Sequence, residues 1–289
     1  MIVSVNGAEL YYSTRGNSPD QRPACLVLSA IGTKPYERMT PPPLSDRLRL
    51  VYVDPRGSGQ STGEASDLTF DVLAEDLEAI RTDLGVKRVA VLGHSILSVL
   101  AIEYGRRCPG SVSHVITAGA TPWGDMAWLA AQATAFFEAD ASEERKQILR
   151  DNLARLPPSP DPGKVMFAQT PMRFFDARFD AVPLYAEAVV RPQFFQHLLG
   201  PLTQSWDITA EPDESRVPLF LAHGRRDYTV PYRVWDDVLP RLPNARLELF
   251  DRSGHQPFFE EPDRFVAALL QWMEAGDQPS ALSGLRAKM

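Results

Sequence analysis

The run Val89-Ala90-Val91-Leu92 passes into a helix-patterned stretch at residues 96–107 through Gly93-His94-Ser95, with no loop between them. A short, unbroken apolar run rich in β-branched residues predicts a strand buried on both faces, as in a parallel sheet. Leu97, Leu100, Ala101 and Tyr104 then recur at helical spacing. A strand that turns this sharply into a helix drives the middle residue into strained backbone angles and lifts its side chain clear of the sheet edge. The raised hydroxyl of Ser95 would stand at a helix N-terminus, where free N–H groups and the helix dipole favour developing negative charge. Ser95 is therefore a candidate nucleophile. The stretch departs from the Gly-x-Ser-x-Gly pattern at one place: Leu97 occupies the last glycine, and Ser98 follows it.

The rest of the chain repeats the strand–helix rhythm. Asn6-Gly7 between two short apolar segments predicts a hairpin, because both residues tolerate positive φ. Residues 25–29, 48–54 and 114–118 read as buried strands, and 67–84 as an amphipathic helix stopped by Gly85. Alternation of this kind implies a mostly parallel sheet covered by helices on both faces. The rhythm breaks after Thr121-Pro122. Residues 123–206 are rich in large apolar side chains at helical spacing, with helices expected at 126–139, 142–156, 184–190 and 192–199. The proline-rich run 157–163 predicts irregular chain. Strand patterns return at 218–223 and 246–250, with helices at 232–239 and 262–274. The expected organisation is a core of residues 1–121 and 213–275, a helical cap at 122–212, and a patternless tail at 276–289.

A serine hydroxyl needs a base to take its proton, and the base needs a partner that fixes its tautomer. In a doubly wound sheet those groups emerge at the carboxyl ends of later strands. Asp227 lies just past the 218–223 strand and His255 just past the 246–250 strand. The order Ser95, Asp227, His255, with a long first gap that accommodates the cap, is a nucleophile–acid–base order known for strand–turn–helix nucleophiles. His94, beside the nucleophile, is expected to face elsewhere, and His197 to be an ordinary helix residue. No His-x-x-x-His or Cys-x-x-Cys is present, so no metal is expected, and Gly57-Ser58-Gly59 lacks a dinucleotide fingerprint around it.

The segments Asp54-Pro55-Arg56-Gly57-Ser58-Gly59-Gln60-Ser61, Gly93-His94-Ser95, His223-Gly224-Arg225-Arg226-Asp227 and Ser253-Gly254-His255 resemble the α/β-hydrolase superfamily. Within it, Glu103-Tyr104-Gly105-Arg106-Arg107-Cys108-Pro109 and residues 174–180 are most similar to the proline iminopeptidase-like branch. The resemblance implies an α/β-hydrolase fold with an inserted helical cap and a cofactor-free serine hydrolase. It also implies an oxyanion hole from the backbone N–H of Ile96 and of Ile31. The loop carrying Ile31 reads Ser29-Ala30-Ile31-Gly32, where the family usually has His-Gly-Gly or His-Gly-aromatic. The branch uses cap carboxylates to hold a substrate's free amine; Asp176 and Glu187 are the candidates, with Tyr228 at the position after the acid where some relatives carry another carboxylate. The expected substrate is a small ester or amide, an N-terminal aminoacyl group included. An esterase or lactonase without amine recognition, and a non-catalytic small-molecule receptor, remain alternatives.

Composition narrows the partners. The 30 basic and 37 acidic side chains give a net charge of −7 with no basic cluster, which argues against nucleic acid. No apolar run approaches the roughly 20 residues of a membrane span. The N-terminal residues lack the pattern of a signal peptide, and Cys25 and Cys108 make no disulfide framework, so a cytoplasmic setting is expected. Neither composition nor motif bears on oligomeric state.

Overall fold

Asn6 and Gly7, at φ 45° and 76°, turn β1 (Ile2–Val5) back onto β2 (Ala8–Arg15). In this computed structural model, which describes residues 1–15, 22–210 and 216–276, the hairpin is the antiparallel edge of a sheet. The other strands are β3 (Ala24–Leu28), β4 (Arg49–Val53), β5 (Val89–His94), β6 (Val112–Ala118), β7 (Leu219–Gly224) and β8 (Ala245–Phe250). Among the described residues the sheet has eight strands in the order β1-β2-β4-β3-β5-β6-β7-β8, parallel from β4 onward. β3, β5 and β7 are buried along their whole length, as their unbroken apolar runs require. Burying a Val or Leu fully is worth about 1.5–3 kcal/mol, so these strands supply much of the core.

Helices α1 (Thr33–Met39), α2 (Pro42–Ser45), α3 (Phe70–Asp83) and α4 (Leu97–Arg107) cover this sheet together with the C-terminal α11 (Pro262–Gly276), which α10 (Pro257–Glu260) precedes. Between β6 and β7 lie α5 (Met126–Asp140), α6 (Glu143–Ala154), α7 (Pro162–Ala168), α8 (Thr170–Arg173) and α9 (Pro192–His197). The two ends of this insertion are pinned together. The Gly124 N–H donates to the Trp206 carbonyl at 2.8 Å, the Ile208 N–H donates to the Pro122 carbonyl at 3.0 Å, and the Trp206 indole N–H donates to buried Glu103 at 2.8 Å. The expected boundary at 212/213 and the tail, Gly276 apart, lie outside the described residues.

Several expected helices have different limits, each for a local reason. The 67–84 helix starts at Phe70 because the Thr69 hydroxyl caps it, accepting from the Val72 N–H. The proline-rich run is irregular only to Asp161. That residue caps α7, and Pro162 occupies the first helical position, where a missing N–H costs nothing. Residues 184–190 form no helix beyond the turn Pro183–Tyr185, since Glu187 sits at φ 63°. The 232–239 helix is two short 3₁₀ turns, Tyr232–Trp235 and Leu239–Arg241, because Pro240 cannot donate to the carbonyl one turn back. Sequence patterning missed α1, α2, α7, α8 and α10, all short and proline-containing.

Among the described residues no helix is long and apolar enough to cross a membrane, and no three His, Cys, Asp or Glu side chains cluster to hold a metal ion. Cys25 is buried, and burial pushes its thiol up to about 12.

Candidate active site

The sheet register sets one row of chain ends side by side. His94 lies opposite Ala118, Ala118 opposite Ala222, and Gly224 opposite Phe250. The ladder continues past the strands: the Ser95 N–H donates to the Ala118 carbonyl at 2.8 Å, the Gly119 N–H to Ala222 at 3.0 Å, and the Arg225 N–H to Phe250 at 2.8 Å. Ser95, Asp227 and His255 thus leave the same edge of the sheet, next to the β3/β5 point where strand order reverses.

Ser95 has φ 56°, the left-handed conformation that costs a non-glycine residue about 1–2 kcal/mol. The sharp turn from β5 to α4 imposes it. The close approach that makes the turn possible is at Gly93, where an added Cβ would sit 2.5 Å from the Leu97 carbonyl oxygen and 2.6 Å from the Ser98 Cα. Leu97 replaces the motif's last glycine without difficulty because its side chain points into the core. The Ser98 hydroxyl secures the turn from the helix side, donating to the Gly93 carbonyl at 3.0 Å.

His255 Nδ1 lies 2.7 Å from Asp227 Oδ2, and both side chains are buried. Asp227 Oδ1 accepts the Thr229 N–H at 2.9 Å, the Thr229 hydroxyl at 2.7 Å and the Val230 N–H at 2.9 Å. Burial alone would raise the Asp227 carboxyl. His255 and these donors outweigh it and bring the group down to about 2. An ionised carboxylate at Nδ1 holds the Nδ1–H tautomer and leaves Nε2 free to accept a proton.

His94 faces away from the cavity, yet it is not idle. Its ring packs at 4.7 Å from that of His255, and its Nε2 donates to the His255 carbonyl at 3.1 Å. Burial holds it well down, at about 3, so it stays neutral and adds no charge beside His255. The His255 loop is tied at further points. The His255 N–H donates to the Arg173 carbonyl at 2.6 Å, and the Glu260 carboxylate accepts the N–H groups of Gly254 and Phe175 at 2.8 and 2.6 Å. Burial pushes Glu260 up to about 7 against those bonds. His197 donates to the Leu68 carbonyl at 2.7 Å, far from this row.

Ser95 and His255 open onto one cavity of about 400 Å³. Ile96, Met126, Leu129 and Met172 form its apolar wall, while Thr121, Thr134, Gln169, Arg173 and Thr229 bring polar groups to it. Ile31 follows β3 on the same sheet edge. Among the described residues, the amides of Ile31 and Ile96 have no protein acceptor. The Ser29-Ala30-Ile31-Gly32 loop keeps its course through buried Asp54, whose carboxylate accepts the Ser29 hydroxyl at 2.5 Å and the Gln60 N–H at 2.8 Å.

The three expected substrate contacts are not in this cavity. Glu187 is exposed and paired with Arg38 on the surface, because its left-handed backbone turns it outward. Asp176 caps a turn by accepting the Arg178 N–H at 2.9 Å, and lines separate surface clefts with Phe175. Tyr228 is buried, and its hydroxyl donates to Asp140 of α5 at 2.8 Å, so it anchors the insertion to the Asp227 loop. Sequence reasoning also overlooked Gly119, Glu260 and Arg173. Only Gly119 left a signal, as a glycine directly after a strand.

Residues 28–262 match the family model described as alpha/beta hydrolase fold. The chain is similar to the AB hydrolase superfamily protein YclE of Bacillus subtilis, with 28% identity over 283 residues, covering 94% of this chain and 98% of that protein. It is also similar to a pimeloyl-[acyl-carrier protein] methyl ester esterase of Nitrosomonas europaea, 28% identical over 279 residues with coverage of 90% and 98%. A proline iminopeptidase of Xylella fastidiosa is 25% identical over 286 residues, covering 89% and 90%. With strand order, elbow and family match in agreement, the chain belongs to the α/β-hydrolase family.

Proposed function

We propose that the protein is a serine hydrolase acting on small carboxylic esters through an acyl-enzyme. The observation that carries this reading is Ser95, held at φ 56° at the end of β5, sharing a cavity with a His255 whose Nδ1 bonds ionised Asp227. In this mechanism Ser95 Oγ attacks the carbonyl carbon while His255 Nε2 takes its proton. The Ile96 and Ile31 N–H groups receive the oxyanion, a contact worth a factor of about 10²–10³ per donor in comparable sites. The carbonyl–oxygen bond to the leaving group then breaks, and His255 returns the proton to the departing alcohol. Water repeats the sequence: it adds to the acyl carbon, gives its proton to His255, and Ser95 leaves protonated. Asp227 keeps the imidazole oriented and stabilises its charged form throughout.

Ester hydrolysis without amine recognition is favoured over removal of an N-terminal aminoacyl group. A buried ammonium needs a compensating carboxylate, and the residues lining the cavity include none. The similar methyl ester esterase is in keeping with this choice, whereas the iminopeptidase similarity favours the other. A panel of p-nitrophenyl acyl esters, aminoacyl p-nitroanilides and their N-acetylated forms tests it. Acyl esters should be turned over, and N-acetylation should leave kcat/KM of an aminoacyl compound equal or higher. A strict requirement for the free amine would overturn the ester reading, and no turnover at all would favour a receptor.

The row of chain ends also makes Gly119 a sensitive position. At φ 59°, a Cβ there would lie 2.7 Å from His255 Nδ1 and 3.2 Å from Asp227 Oδ2. Gly119→Ala should therefore push the imidazole off its partner and lower kcat/KM by about 10²-fold, the scale of a roughly 1 Å misplacement. Steady-state ester hydrolysis, with a melting curve as control for folding, reads this out. A rate near that of the unaltered protein would mean that the His255 loop yields without loss of geometry.

A further inference from the structure

Besides His255, the lining of the cavity above Ser95 includes one side chain that carries a charge, Arg173, and among the described residues it makes no ion pair. Arg173, the last residue of α8, is half-buried and lines the cavity. Its Nε is fully buried with no hydrogen-bond partner. Its Nη atoms keep some solvent access, and among the described residues no carboxylate, carbonyl or hydroxyl accepts from them. The nearby acids are already taken. Asp227 gives one oxygen to His255 and the other to Thr229 and Val230, and Glu260 accepts the Gly254 and Phe175 N–H groups. Desolvation accordingly pulls the Arg173 guanidinium down from its ordinary value, with Tyr185 and Asp227 offsetting only part of it.

An arginine stays ionised inside proteins, and a charge drawn partly out of water with a buried, unpartnered Nε is destabilising until something pairs with it. α8 is nevertheless held firmly in place. The Arg173 carbonyl accepts the His255 N–H, the Met172 carbonyl accepts the Tyr228 N–H at 3.0 Å, and Arg145 donates to the Pro171 carbonyl at 2.6 Å. The guanidinium is therefore presented to the cavity by backbone contacts that owe nothing to its charge. Gln169, one turn earlier in α7–α8, lines the same cavity, and its carboxamide has no protein partner among the described residues.

We propose that Arg173 is the binding residue for a carboxylate carried by the substrate, so that the esters this protein hydrolyses bear a free carboxyl group at their far end. This inference rests on the ester-hydrolase reading and names its substrate class. A planar guanidinium fork matches a carboxylate bidentately. One cation in an otherwise largely apolar cavity balances one negative charge, which fits a carboxylate better than a phosphate dianion. The net charge of −7 works against anions in general, so any preference for them must arise locally.

The test pairs kinetics with binding. Mono-p-nitrophenyl esters of succinic, glutaric and adipic acids are compared with the same compounds capped as methyl esters. The best-fitting free acid should exceed its capped form in kcat/KM by about 10- to 100-fold, the range expected for a hydrogen bond to a charged group. In Arg173→Gln that ratio should fall to about one, and Arg173→Lys should keep part of it. Arg173→Gln should also melt no lower than the unaltered protein, since it removes an uncompensated charge; a structural arginine would show the opposite. Calorimetry with glutarate on Ser95→Ala protein gives a readout independent of catalysis, and the added substitution Arg173→Gln should abolish that binding. Turnover with a ratio near one, or glutarate binding that survives Arg173→Gln, overturns the carboxylate site and leaves the hydrolase reading intact. Glutarate bound through Arg173 in a protein that neither turns over esters nor reacts with a fluorophosphonate would reverse that result: the site stands and the hydrolase reading falls.

Discussion

Ser95→Ala is expected to lower kcat for ester hydrolysis by about 10⁵- to 10⁶-fold, the loss seen when a serine nucleophile that acts as a unit with its base is removed. Covalent labelling by a fluorophosphonate should disappear with it. The fold should persist, for three reasons. The Ser95 N–H bond to the Ala118 carbonyl belongs to the backbone, alanine meets the left-handed φ of 56° at a cost similar to serine's, and the turn itself depends on Gly93. Intact-mass measurement after labelling, with peptide mapping to Ser95, checks the first point, and a thermal melt checks the second. Undiminished labelling of Ser95→Ala would place the nucleophile elsewhere.

Asp227→Asn should cost about 10⁴-fold in kcat with the backbone unchanged. The asparagine oxygen can still accept from the Thr229 N–H, the Thr229 hydroxyl and the Val230 N–H, which now hold Asp227 Oδ1. Its NH₂ group then faces His255 Nδ1, which must become an acceptor. The ring proton moves to Nε2, and Nε2 can no longer take the proton of Ser95. The same variant carries a signature in stability. The Asp227 carboxyl is depressed from 3.8 to about 2, so its contribution is fully present above about pH 4 and is lost as pH falls through about 2. Denaturant titrations should therefore show the gap between unaltered protein and Asp227→Asn narrowing across that window. A near-native rate would mean that another acid orients His255, Asp251 being the nearest in sequence; it is exposed and already paired with Arg225 at 2.7 Å.

Parallel strands buried on both faces must be apolar throughout, so β3, β5 and β7 stand out in the chain as unbroken runs, and the residues following them fall on one edge by topology alone. For that reason the Ser95 elbow, the Asp227 and His255 positions and the helical insertion could all be read from the amino-acid order. The same holds for the Asn6-Gly7 hairpin, where two adjacent residues accept positive φ. The contents of the cavity followed no such local rule. Which acid of the insertion faces Ser95 depends on how short, proline-started helices such as α7 and α8 dock, and the direction of α8 is set by distant partners: Arg145 on the Pro171 carbonyl, the Tyr228 N–H on the Met172 carbonyl, the His255 N–H on the Arg173 carbonyl. Glu187 is a carboxylate that the resemblance puts at the substrate, yet its own left-handed backbone sends it to Arg38 at the surface. Arg173 carries no sequence mark, because an unpaired charge is defined by what is missing around it. The order of residues determined the sheet and the row of groups along its edge; tertiary packing alone decided that the cavity above them presents a cation rather than a carboxylate.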